Sequence, residues 1–144
     1  MRARRPIDAK VTFKAPEQGP PMARVVVEPP SFSRIIERDV AKGTVTIRAE
    51  ENEGRAVIVD TGVEIGRWVK ERLAITEGDP LSAETEMGSI FTYAKGDWRT
   101  KVSGRCALRA TRTHWLLSAD LDAWDGDAQI FSRHLEVPIR RDLM

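Results

Sequence analysis

Residue types that could do chemistry are sparse in this chain of 144 residues. Paired acids stand at Glu84 and Glu86, at Asp120 and Asp122, and around Asp125 and Asp127. An i, i+2 pair on a strand points both carboxylates to one side, where they could share a proton or hold a cation. Arg99, Lys101, Arg105 and Arg109 form a basic row one strand earlier, so cross-strand charge pairing is the simplest use of both rows. His114 and His134 read as ordinary strand residues rather than bases. Cys106, His114 and His134 offer no paired metal-ligand spacing. There is no G-x-S-x-G, no phosphate-binding glycine loop and no dinucleotide fingerprint. The sole cysteine, Cys106, falls on an apolar stripe as an inert thiol and cannot form an internal disulfide. No catalytic residue, metal or cofactor is assigned.

The aromatic residues offer more. Four tryptophans are present. Trp98 and Trp115 fall on apolar faces, as core or as a stacking surface for a small apolar ligand. Leu116 and Trp124 fall on otherwise polar faces, as candidate interface residues. Together these four are the candidate ligand or interface residues.

The elements that must position them are strands. From Trp98, alternation puts Thr100, Val102, Gly104, Cys106, Leu108 and Ala110 on one side and the basic row on the other. A second strand carries Trp115, Leu117, Ala119, Leu121 and Ala123 against Leu116, Ser118, Asp120, Asp122 and Trp124. Asp125-Gly126 predicts a type I′ hairpin. A third strand places Phe131, Leu135 and Val137 opposite Ser132, His134 and Glu136, and Pro138 should end it. Upstream, strands are predicted at Met22 to Glu28, Ser31 to Val40, Thr44 to Ala49, Arg55 to Asp60, Val63 to Thr76 and Leu81 to Ala94. Glu50 to Gly54 reads as a polar loop, Glu77 to Pro80 as a turn, and Gly88 as a bulge or bend.

The expected fold is all-β: an antiparallel meander of long twisted strands, curled into a barrel, a half-barrel or a two-layer sandwich. Residues 1–21 read as a Pro-rich lead-in with a basic tip at Arg2, Arg4 and Arg5, and residues 22–144 as a single β domain. A net charge of +1 argues against a nucleic-acid partner. No apolar run is long enough for a helical span, and the start lacks the apolar stretch of a secretory signal. No membrane association and a cytoplasmic location are therefore expected.

Several phrases in order carry a resemblance: RIIERDVAKGTVTI (34–47), VDTGVEIG (59–66), ITEGDPLSA (75–83), KGDWRTKV (95–102) and LDAWDGDAQIFSRHLEVPIRRDLM (121–144). The set resembles the C-terminal β segment of the α/β-hydrolases grouped as X-prolyl dipeptidyl-peptidases and cocaine-esterase-like enzymes. Ile139-Arg140-Arg141-Asp142-Leu143 matches their closing phrase. The resemblance implies a catalytic triad in a separate hydrolase domain, to which no residue here corresponds. It implies a non-catalytic accessory or interaction β domain, inactive in hydrolysis by itself, with a hydrolase partner or self-association. The alternative is a β-barrel that binds a small apolar ligand.

Overall fold

The computed structural model describes residues 13–142, all of them strand, turn or coil. The basic tip, and the end of the closing phrase at Leu143 and Met144, lie outside the described residues. Eight strands follow in order: β1 (Arg24–Glu28), β2 (Ser31–Asp39), β3 (Thr44–Ile58), β4 (Val63–Thr76), β5 (Asp79–Lys95), β6 (Trp98–Ala110), β7 (His114–Asp125) and β8 (Ala128–Arg140). All pair antiparallel in one sheet of order β1-β3-β4-β5-β6-β7-β8. Short connections put successive strands side by side from β3 onward, as a meander requires. The sheet does not close: β8 does not pair back to β1 or β2, so of the three expected closures the barrel is not formed.

β1 and β2 share one edge of β3. β2 covers Thr44 to Asn52, and β1 covers Arg55 to Ile58. Pro29 and Pro30 separate them, where neither nitrogen can donate to a ladder. The stretch expected as a loop, Glu50 to Gly54, runs as strand inside a single 15-residue β3. The irregularity there is a bulge, with the register shifting between Asn52 and Arg55. Gly54 takes φ +72, and a Cβ on it would lie 2.0 Å from the Glu28 carbonyl oxygen. Only glycine fits a positive φ and that close an approach. The Asn52 side chain ties the bulge together, accepting from Gly54 N at 2.9 Å and donating to Glu28 at 3.1 Å.

Other local expectations shift by a residue or two. Val63–Thr76 is the strand predicted. Gly88 makes no bulge: it pairs in unbroken register with Lys70 and Arg105. The final hairpin turns on Gly126 and Asp127, with Asp125 already paired to Ala128, so it lies one residue later than the Asp-Gly signal. Gly126 supplies the positive φ, +56. Pro138 does not end β8. It sits opposite Leu116 in an edge strand, where one side of the backbone has no neighbour to bond.

Alternation sorts the side chains into two unlike faces. One row of the first face reads Ile36, Ile47, Leu73, Thr85, Leu108, Leu117 and Val137 across seven strands. A row of the other reads Arg48, Arg72, Glu86, Ala107, Ser118 and Glu136. Among the described residues nothing covers either face. Among the described residues Ala74 is the one buried hydrophobic residue, paired with the buried Thr46. The chain exposes 11931 Å². A folded monomer of 16.2 kDa is expected to expose about 7,500 Å². Exposed residues 13–21 account for part of the excess; the rest follows from a sheet one layer thick.

Candidate functional site

The four candidate residues divide between the faces. Trp98 and Trp115 lie on the apolar face, at opposite ends of it. Trp98 pairs with Lys95 beside the β5–β6 turn and is half exposed. Trp115 pairs with Ala110 and Ile139. The Arg141 guanidinium stands 4.6 Å over its ring, and that arginine donates to the Thr111 carbonyl at 2.7 Å. Leu116 and Trp124 lie on the polar face. Lys101 Nζ sits 3.8 Å above the Trp124 ring, a cation–π contact that shields one side of the indole. Leu116 stands exposed between Arg109 and Pro138. The four therefore do not converge on one site.

What the apolar face does gather is an open concavity of about 300 Å³. Val45, Ile47, Leu73, Ile75, Leu108 and Trp115 line it. Strands β3 to β7 each contribute, because β-branched and leucine residues at alternate positions share one side. Leu73 and Ile75 remain 41% and 45% exposed. In the sequence these residues were legible as faces of separate strands. Their meeting depended on register, which single-strand alternation does not give. Beyond the concavity the face continues over β5 to β8 through Met87, Phe91, Leu121, Phe131 and Leu135. Cys106 lies on this face, half-buried between Met87 and Ala119.

On the polar face, charge is paired side chain to side chain. Glu84 accepts from Arg72, and Arg109 reaches Glu84 at 3.4 Å and Glu86 at 3.9 Å. Arg105 reaches Glu86 at 3.9 Å. Arg105 and Arg109 of the basic row thus pair with the acids of β5, although Arg105 is in register with Asp120. The Arg72 hydrogen bond holds the Glu84 carboxyl below its ordinary range, and Arg109 adds to the effect. The acids of β7 turn to β8: Asp122 accepts from Gln129 at 2.8 Å, and Asp120 lies 2.6 Å from His134 Nδ1. Glu136 stands 3.5 Å from His134 Nε2. An imidazole between two carboxylates is favoured in its charged form, so the His134 pKa is raised above its ordinary value, chiefly by Asp120. This cluster was not anticipated; the signal was register, which sets His134 opposite Asp120.

Chemically the polar face is a set of satisfied ion pairs on exposed strands. Among the described residues no group of three His, Cys, Asp or Glu side chains is arranged to hold a metal ion. No helix among them is long and apolar enough to cross a membrane. No family model matches this chain, and no curated protein or solved structure shows significant similarity to it.

Proposed function

We propose that the chain is a non-catalytic interaction module, whose apolar sheet face is completed by a protein surface laid upon it. One observation carries this reading: a face spanning β2 to β8, apolar at most positions, lies open on a sheet with no second layer. Exposed apolar area on that scale marks an interaction surface. The resemblance to the C-terminal segment of X-prolyl-peptidase and cocaine-esterase-like hydrolases supplies the setting: an assembly built around an α/β-hydrolase. In that setting the chain contributes packing surface and no catalytic group. The test is isothermal titration of the purified chain against a recombinant α/β-hydrolase with a jelly-roll domain from the same genome. A stoichiometric complex supports the setting, and no heat of binding at micromolar concentrations removes it. The chain alone should not hydrolyse a p-nitrophenyl ester above background.

A second reading rests on the concavity beside Trp115: carriage of a small apolar ligand. The open sheet encloses no volume around a ligand, so tight binding of a fluorescent fatty acid by the monomeric chain would be needed to sustain it.

A further inference from the structure

We infer that the layer covering the apolar face is a second copy of this chain, stacked face to face about a dyad that runs along β5. The inference rests on the interaction reading above and names the immediate occupant.

Area is the first argument. Seven strands at about 4.8 Å spacing, each some twelve residues long at about 3.3 Å rise, make a face of about 30 by 40 Å. Two such faces in contact remove roughly 2,000 Å² or more from water, the range of obligate homodimers. The product is a two-layer sandwich, in which each apolar face becomes core.

The pattern on the face selects the axis. One row reads Glu51, Val69, Ser89, Gly104, Leu121 and Arg133 from β3 to β8. Its acid and its base stand on opposite sides, with Ser89 of β5 between them. A dyad along β5 leaves every row at its own level and exchanges left for right. Arg133 of each copy then falls within about one strand spacing of the other's Glu51. A dyad across the strands through this row would instead set Arg133 on Arg133. Glu51 stands 4.0 Å from Arg67 in its own chain, leaving room for a second cation.

The same axis lays β4 over β6 and β3 over β7. In the central row Val69 of one copy then meets the level of Gly104 of the other. In a neighbouring row Leu73 meets the level of Leu108 and Ile47 that of Leu117, apolar against apolar. The isologous closure ends the assembly at two copies.

The test uses the full chain. Light scattering after size exclusion should give twice the 16.2 kDa chain mass at micromolar concentration. In a Cys106→Ala background, Ser89→Cys sits on the dyad. It should cross-link to its own copy with a bis-maleimide spanning about 10 Å, the spacing of stacked sheets. Thr92→Cys, on the polar face, should not. Glu51→Arg and Arg133→Glu should each weaken dimerisation by about fivefold, and the double reversal should restore it. A monomer at tens of micromolar overturns the inference. So does a dimer in which Ser89→Cys stays unlinked and charge reversal gives no rescue. If a monomer still forms a stoichiometric complex with the hydrolase, only the second copy is rejected. If the chain is monomeric and binds neither hydrolase nor an apolar dye, the interaction reading falls as well.

Discussion

His134 is a group whose environment predicts a measurable shift. Asp120 at 2.6 Å and Glu136 at 3.5 Å both favour the imidazolium. Its histidine ring signals in NMR should titrate above the ordinary value, about 6.5. Asp120→Asn should move the midpoint back down. The sign of the linked stability follows: a raised folded-state pKa contributes stability below the unfolded-state pKa, and that contribution disappears as pH rises through the folded value. Wild type should therefore lose its advantage over Asp120→Asn on going to alkaline pH. A wild-type midpoint at or below the ordinary value would refute the pairing. Gly54 and Gly126 make a second comparison at this scale. Both have positive φ, +72 and +56, but a Cβ on Gly126 meets nothing within 4 Å. Gly126→Ala should cost about 1 kcal/mol of backbone strain. Gly54→Ala should cost about 3 kcal/mol or more, because the Glu28 carbonyl must also move. Urea denaturation compares the two directly.

Strands carry the next level. The Arg72, Glu84 and Arg109 cluster links β4, β5 and β6 on the polar face. Because Glu84 has a lowered pKa, its contribution is present above the unfolded-state carboxyl value and fades as pH falls through the folded one. Glu84→Gln should destabilise by less than about 1 kcal/mol at neutral pH, since the pairs are solvated, and be nearly neutral at strongly acid pH. A loss independent of pH would assign the effect to packing. Strand existence was legible in the sequence because glycine turns punctuate clear period-two alternation from Thr44 onward. Val63 to Thr76 was resolved as strand by its flanking strands, despite a helix-tolerant middle. The stretch Glu50 to Gly54 was not legible. Its polar composition is that of a loop, and only pairing of Glu50, Glu51 and Asn52 with β4 and β2 shows it to be strand. Gly88 misleads in the opposite way, since a glycine in a regular ladder leaves the same mark in sequence as one in a bulge. Of the candidate site, the face assignments of Trp98, Trp115, Leu116 and Trp124 were readable from parity. The convergence of Val45, Leu73 and Leu108 on one concavity was not, because it depends on register across four strands.

For the whole molecule, the decisive property is a sheet in which, among the described residues, no side chain is wholly buried. A chain of this length ordinarily gains its stability from a shared core. In the proposed dimer that core forms between molecules, so stability should depend on protein concentration. The thermal midpoint should rise with each tenfold increase in concentration, measured by circular dichroism. Dilution should increase binding of an apolar dye. A midpoint independent of concentration would show that one layer suffices. Alternation told which face is apolar; it carried no information about what lies against it.

The four indoles occupy four different settings. Trp124 lies under a lysine, Trp115 under an arginine, Trp68 donates to Glu50 at 2.9 Å, and Trp98 stands half open. The two faces therefore carry separate optical labels. Trp115 emission should shift to the blue and resist acrylamide quenching when the apolar face is covered, while Trp124 emission stays unchanged. A chain that keeps only one of these indoles, the other three replaced by phenylalanine, would report which side of the sheet is engaged, in real time and without an attached dye.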